Sequence, residues 1–276
     1  MDQQNLYKPS YLIELCKKYS LNPSKKYGQN YLVTKIHIEK MLEAGEIIKE
    51  DLVVEVGPGF GVLTFALVEK AGKVVVFEIE QKLKDYWEEN KSDNLEIVWG
   101  DVIQKFQNQN FKFQNYKLVA NLPYQITSAV LRMFLEMENK PEKIVVMVQK
   151  EVAQRIVAKP GDMSVLAVSV QYYGQPKTIA KVTKGNFWPS PKVDSAILLI
   201  DNIQSPKNDF SDEYFFTVVK AGFAQKRKQL WRNLSQGLKL DAEKVKGILF
   251  EVCGNDKIRA EELGVEEWVK IANNIK

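Results

Sequence analysis

The sequence predicts an α/β fold: a doubly wound domain with a mostly parallel sheet and an antiparallel edge, followed by a small all-helical domain. Three observations predict it. Strand-like and helical patterns alternate from Leu52 to Val148, the signature of parallel βαβ units with helices on both faces. The first of these strands runs directly into a glycine-rich turn, Gly57-Pro58-Gly59-Phe60-Gly61. Beyond a turn-rich stretch, Asn202 to Asp209, every periodic segment is helical. A chain of 276 residues suits one large domain or two smaller ones, since single cores stop growing near ~250–300 residues. The expected division is 1–202 and 207–276.

Pro9-Ser10 opens a short helix through Leu15, because Pro and Ser both favour a helix start. Residues 25–32 read as a loop, and Ile36 to Ala44 as a helix. Leu52 to Val56 is a buried-strand signal, and Val62 to Lys70 the helix after its turn. A second strand, Lys73 to Phe77, ends at Glu78 and leads to a charged helix through Leu83 to Glu89. Strands follow at Leu95 to Trp99, Lys117 to Ala120 and Lys143 to Val148, with a helix at Ser128 to Glu138. Lys177 to Thr183 and Lys192 to Ile200 read as an antiparallel pair at one sheet edge, common in this class. Helices are expected at Glu213 to Ala224, Lys244 to Phe250 and Val265 to Ile275. No internal repeat is visible.

Composition removes several classes. The chain is 45% hydrophobic and 27% charged, as ordinary globular proteins are. Its longest apolar runs, Ile144 to Val148 and Ala196 to Ile200, fall far short of the ~20 residues of a membrane span. The N-terminus lacks the basic start and apolar stretch of a signal peptide, and two isolated cysteines, Cys16 and Cys253, suit a reducing compartment. A cytoplasmic protein is expected. The single histidine, His37, reads as a surface helix residue and leaves no material for a Ser-His-Asp hydrolase or a histidine zinc site. No metal is expected.

The glycine turn lies where open α/β sheets bind ligands, at the carboxyl ends of the strands. Its glycines, 57, 59 and 61, give GxGxG instead of the dinucleotide GxGxxG, and no Gly-Lys-Ser/Thr follows as in a P-loop. That points to a nucleoside-type ligand approaching the backbone at Gly57 and Gly59. Glu78, 21 residues after Gly57, closes the second strand, where a carboxylate can accept both ribose hydroxyl protons. That position serves nicotinamide cofactors and S-adenosyl-L-methionine equally. Asp101, after the third strand, can accept from an adenine amino group. Taken alone, either acid also reads as a solvated strand end.

The fourth strand ends in Asn121-Leu122-Pro123-Tyr124. This resembles motif IV of methyltransferases acting on adenine or glutamine nitrogen. An exocyclic amine conjugated to a purine is a poor nucleophile because its lone pair is delocalised. The Asn121 carboxamide oxygen and the Leu122 carbonyl can each accept one N6–H, favouring a pyramidal nitrogen. Pro123 sets the turn, and Tyr124 offers a ring for a base taken out of its stack. No titratable base is required, and positioning carries the rate.

With these motifs the chain resembles the universal small-subunit (16S-type) ribosomal RNA adenine N6,N6-dimethyltransferase family, the kasugamycin-sensitivity enzyme of bacteria. Lys26 to Leu32 is similar to the family's GQNFL segment, with Tyr31 for its Phe. Val148 to Arg155, Asn186 to Ser195 (its F-x-P-x-PKVDS block) and Phe223 to Leu230 (its F-x-x-RRK-x-L stretch) also match. The resemblance spans residues 25–235. It implies a Rossmann-like domain using S-adenosyl-L-methionine, with cofactor contacts at Gln29, Asn30, Leu32, Gly57, Gly59, Glu78, Asp101 and Asn121. It also implies that Phe187 faces Tyr124 across the flipped adenine. Two departures stand out: residues 161–165 are shorter than the family's link, bearing on a pocket wall, and Lys226 replaces a usual Arg.

The resemblance further implies two adjacent adenines near the 3′ end of small-subunit rRNA as targets, each dimethylated during ribosome biogenesis. The partner is then a pre-assembled small subunit, and the enzyme a monomer. Net charge, +4, says little, but its distribution says more. Residues 207–276 carry 13 basic and 11 acidic residues, yet Lys226, Arg227, Lys228 and Arg232 cluster around Trp231 without an acid. With the basic N-terminal segment this suggests phosphate contacts. Competing readings are a large-subunit rRNA adenine methyltransferase conferring antibiotic resistance, a non-catalytic assembly factor, and a nicotinamide oxidoreductase. The PKVDS block, the intact Asn121–Tyr124 motif and the GxGxG spacing argue against each in turn.

Overall fold

The computed structural model describes residues 3–23, 29–108, 111 and 113–276. Lys25, Lys26, Tyr27 and Gly28, assigned above to the basic N-terminal and GQN segments, lie outside the described residues.

The chain forms two compact units. The first comprises Met1–Ala153 and Pro176–Ile203. Its centre is a seven-stranded sheet, built from β2 (Leu52–Val56), β3 (Lys73–Glu78), β4 (Leu95–Trp99), β5 (Tyr116–Asn121), β6 (Lys143–Gln149), β7 (Gln175–Val182) and β9 (Ser195–Asp201). The spatial order is β4-β3-β2-β5-β6-β9-β7. β2 to β6 run parallel and β9 runs antiparallel to β6, with Val148 opposite Ala196. Parallel strands covered on both faces read as continuous apolar runs, and Val74 to Phe77 and Ile144 to Val148 are buried throughout. Each such side chain contributes roughly 1.5–3 kcal/mol on burial.

Because the strands are parallel, their carboxyl ends lie along one edge. Val56, Glu78, Trp99 and Asn121 share it. α3 (Thr64–Lys70), α4 (Lys84–Glu89), α5 (Val102–Asn108) and α6 (Thr127–Glu136) make the crossovers. α3 begins two residues later than Val62, the start expected from sequence, and β9 begins at Ser195 instead of Lys192. One bond, Lys150 N–H to the Asp194 carbonyl (2.9 Å), continues the β6–β9 register past Ser195, and the Asp194 carboxylate accepts Lys184 N–H (3.0 Å). α1 (Pro9–Lys18) and α2 (Lys35–Ala44) precede the sheet, and α2 buries Ile38, Met41 and Leu42 at helical spacing. His37 on α2 is half-buried, less exposed than a surface residue, and its Nδ1 has no hydrogen-bond partner among the described residues.

Residues 31–32, expected to be loop, form β1 (Tyr31–Leu32) and pair antiparallel with β8 (Phe187–Trp188). Tyr31 opposes Trp188 and Leu32 opposes Phe187. Two-residue strands carry no periodicity, so the pattern of apolar residues cannot reveal them. The Tyr31 ring stacks on Trp188 at 6.3 Å and packs on Phe60 at 5.2 Å, while the Tyr86 hydroxyl donates to the Phe60 carbonyl at 2.7 Å. The glycine turn is therefore braced from outside by aromatic side chains.

The second unit comprises Gln154–Gln175 and Gln204–Lys276, so residues 154–175, which the boundary at 202 assigns to the first domain, belong with the helices. Contacts within the unit explain it. Gly161 and Met163 N–H both donate to the Glu261 carbonyl (2.9 and 3.1 Å), and the Tyr172 and Tyr173 hydroxyls both donate to the Asp212 carboxylate (2.9 and 2.7 Å). The chain enters this unit within α7 (Lys150–Ile156). α8 (Val165–Gln171), α9 (Asp212–Gly222), α10 (Leu230–Leu238), α11 (Ala242–Cys253) and α12 (Val265–Ile275) follow. Ser211 caps α9 through its hydroxyl, and Phe215, Leu230, Leu249 and Trp268 are fully buried. No described helix is long and apolar enough to cross a membrane.

Candidate active site

A cavity opens at the carboxyl ends of the parallel strands, lined among others by Gln29, Asn30, Leu32, Gly57, Gly59, Glu78 and Asn121 to Tyr124. Two glycines are needed for its shape. Gly57 has φ +74° and Gly59 φ +57°, and a Cβ on Gly59 would stand 2.8 Å from Tyr31 Cε1. The sequence suggests that these glycines offer their amides to a ligand. The structure corrects this for both: Gly57 N–H donates to the Phe77 carbonyl at 2.9 Å, and Gly59 N–H donates to Glu78 Oε2 at 3.0 Å. Glu80 N–H donates to the other oxygen at 2.7 Å. Glu78 thus staples the glycine turn to the end of β3. Burial raises its pKa, and the amide donors pull it back. Each oxygen keeps a lone pair that a diol can use.

Sequence reasoning overlooked Glu55. It sits inside β2, is 1% exposed and lines the cavity, and its Oε2 has no hydrogen-bond partner among the described residues. Burial pushes its pKa up to about 8, Glu78 adds to that, and Thr64 opposes it. The available signal was an acid within an otherwise apolar strand, Leu52-Val53-Val54-Glu55-Val56.

Asn121, Leu122, Pro123 and Tyr124 leave β5 into the same cavity. Asn121 Nδ2 donates to the Asn30 carbonyl at 3.2 Å. A carbonyl can only accept, so this bond fixes which end of the carboxamide is nitrogen and frees Oδ1 as an acceptor. Leu122 N–H donates to the Met147 carbonyl at 3.2 Å, extending the β5–β6 ladder by one residue. Its own carbonyl accepts nothing from the described residues. Tyr124 is half-buried, and its hydroxyl lies 2.7 Å from Ser195 Oγ.

Asp101 lies beside a second cavity, which shares Gly57, Ile79 and Pro123 with the first. The first is narrow, about 80 Å³, and the second holds about 360 Å³. Asp101 Oδ1 caps α5, accepting Ile103 and Gln104 N–H at 2.8 and 3.3 Å, and Oδ2 has no partner among the described residues. Phe187 does not line the first cavity. It is 4% exposed, buried in the core opposite Leu32, and makes no ring contact with Tyr124 among the described residues. Rings that sandwich a base are separated by it, so the lack of direct contact leaves the expected facing of Phe187 and Tyr124 across an adenine as an expectation. Residues 161–165, expected at a pocket wall, line neither cavity.

A model of the ribosomal RNA adenine dimethylases matches residues 21–276. This chain belongs to that family. A ribosomal RNA small subunit methyltransferase A of Dehalococcoides mccartyi is 43% identical over 94% of this chain and 90% of its own. One of Clostridium acetobutylicum is 37% identical, covering 95% and 97% respectively. Among solved structures, a dimethyladenosine transferase from Plasmodium falciparum superposes with a TM-score of 0.70 at 24% identity, over 87% of this chain and 95% of that one. The 23S rRNA methyltransferase ErmE does so at 0.68 and 25% identity, over 88% and 98%. The fold is therefore shared with a 23S rRNA methyltransferase, whereas the relatives at 37–43% identity are small-subunit methyltransferases.

As a member of the family the chain is a methyltransferase that uses S-adenosyl-L-methionine, and its residues fit that cofactor. The cofactor carries a sulfonium and an α-ammonium, and Glu55 presents a buried carboxylate oxygen with no hydrogen-bond partner among the described residues. Glu78 can take the ribose diol. The second cavity, with Ile79 and Val102 for an apolar ring and Asp101 for an amino group, has room for adenine.

In the second unit, Ala224 to Lys228 form an exposed loop between α9 and α10, so Lys226, Arg227 and Lys228 all face solvent, as does Arg232 on α10. Buried Asn233 anchors the loop by donating to the Gly222 and Gln225 carbonyls at 2.6 and 3.1 Å. Lys226 pairs with Glu261 at 3.5 Å, an acid brought from 35 residues on in sequence. Arg232 and Lys246 lie over the Trp231 ring at 5.0 and 4.6 Å. Lys246, on α11, was not among the residues singled out from sequence.

Proposed function

We propose that this protein transfers methyl groups from S-adenosyl-L-methionine to N6 of two adjacent adenines near the 3′ end of small-subunit rRNA, within a pre-assembled small subunit. One observation carries the reading. Asn121 Oδ1 and Leu122 O are two hydrogen-bond acceptors at one strand end, and neither accepts from the described residues. A primary amine offers two N–H groups, and two such acceptors draw it toward a pyramidal nitrogen with a localised lone pair.

The cofactor, when bound, supplies an electrophilic methyl on a cationic sulfur. The chain's residues do the rest by positioning. Asn121 and Leu122 orient the amine, Asn30 holds the Asn121 carboxamide, and Tyr124 stacks on the base. Glu55 neutralises the cationic part of the cofactor, and Glu78 holds its ribose. After the first transfer the nitrogen has one N–H left, so one of the two acceptors goes unused in the second. Lys226, Arg227, Lys228 and Arg232 contact phosphates in the second unit.

The test is methyl transfer from labelled S-adenosyl-L-methionine into purified, unmethylated small subunits, with large subunits and free adenosine as controls. N6,N6-dimethyladenosine in the small subunit alone is the expected result. Label in the large subunit would replace the reading with the resistance-type activity. No label, with cofactor bound, would favour an assembly factor.

A further inference from the structure

The Asn186–Ser195 block ends in a serine to which the reaction above gives no role. Ser195 is the first residue of β9, is 0% exposed, and lies opposite Gln149 of β6. Its backbone is held on the N-terminal side by Asp194, whose carbonyl accepts Lys150 N–H and whose carboxylate accepts Lys184 N–H and pairs with Lys181 at 3.0 Å. Its hydroxyl lies 2.7 Å from the Tyr124 hydroxyl. In the sheet β6 separates β5 from β9, so this bond spans the end of β6 and ties the turn after β5 to the start of β9.

Tyr124 needs such a tether. It lies beyond the last residue of β5 in no regular element, and its ring makes no ring–ring contact among the described residues. A ring that receives a flipped base must be held in position before the base arrives, or binding bears the cost of ordering it.

We propose that Ser195 is a positioning residue for base capture: its buried hydroxyl holds the far end of the Tyr124 side chain and so fixes where the ring lies. The proposal rests on the reading of Tyr124 as the stacking ring. It also explains why a tyrosine stands there, since a phenylalanine would stack equally well but would have nothing to tether.

The experiment is a double-mutant cycle of Ser195→Ala and Tyr124→Phe, read by kcat and by KM for small subunits. Cofactor affinity and quenching of 2-aminopurine in a short RNA carrying the target sequence are measured alongside. Removing one hydrogen bond corresponds to about fivefold to tenfold. Each single variant should fall by about that in kcat/KM for the subunit, with cofactor affinity unchanged, and the double variant should be no worse than Tyr124→Phe. Ser195→Cys, which keeps the volume and a weak donor, should recover part of the loss. Additive losses, a loss of cofactor affinity matching the loss of rate, or a fully active Ser195→Ala would each overturn the tether while leaving the reaction intact. A wild type that neither methylates small subunits nor quenches 2-aminopurine would overturn both.

Discussion

The Asn121 carboxamide nitrogen donates to the backbone carbonyl of Asn30, 91 residues away in the chain, at 3.2 Å. That bond decides the chemistry available at the end of β5, because it leaves the carboxamide oxygen as acceptor.

Asn121→Ala should therefore abolish transfer, by about 10²–10³ or more, the effect typical of removing a preorganised polar group. Binding to small subunits should persist. Asn121→Asp should also be slow, because a carboxylate cannot donate to the Asn30 carbonyl and is repelled by it. Single-turnover rates beside filter binding check both, and a parallel fall in subunit binding would count against the role.

Tyr124→Ala should slow transfer about ten- to a hundredfold, since base–aromatic stacking contributes about 1–3 kcal/mol. Cofactor affinity should hardly change, as calorimetry can establish. Phe187→Ala is a different experiment. Phe187 is 4% exposed, and emptying such a site costs about 3–5 kcal/mol of stability. The expected result is a lower melting temperature, with Phe187→Leu restoring both stability and most of the rate.

Glu55 makes the ligand-free protein sensitive to pH. Its pKa is raised from the ordinary carboxylate value of 4.5 to about 8, chiefly by burial. Its neutral form therefore favours folding fully below pH 4.5, and that stabilisation is lost as pH rises through about 8. A cationic ligand prefers the ionised form, so cofactor affinity should rise with pH, by up to about tenfold per unit, and level off above about 8. Glu55→Gln should raise the melting temperature of the ligand-free protein at alkaline pH and flatten the affinity profile. Thermal scans and calorimetry from pH 6 to 9 measure both effects.

Reversing Lys226 and Lys228 to Glu should weaken rRNA binding and flatten its salt dependence. For every phosphate no longer neutralised, the slope of log K against log salt falls by about 0.7–0.9. An unchanged slope would remove the 224–228 loop from the interface. Because Lys226 already pairs with Glu261, Lys228 should have the larger single effect.

The alternating strands, the glycine turn, the acids at strand ends and Asn121-Leu122-Pro123-Tyr124 were legible in the sequence because each is a local pattern. Period-2 and period-3.6 burial, turn chemistry and a proline-set corner need only neighbouring residues to be seen. Glu55 was legible too, as a lone acid in an apolar strand, but only the cavity beside it gives that acid a purpose.

What the tertiary structure alone decided depends on strand order and register. The bonds from Asn121 to Asn30 and from Tyr124 to Ser195, the pairing of β1 with β8, and the membership of residues 154–175 in the helical unit all join distant parts of the chain. Such contacts follow from which strands become neighbours and by how many residues they are offset, and a one-residue slip would turn every side chain to the other face. Local pattern specified the elements and the residue types of the site. Packing selected which of those residues meet, which hydrogen-bonding groups are already taken, and which are left for a ligand.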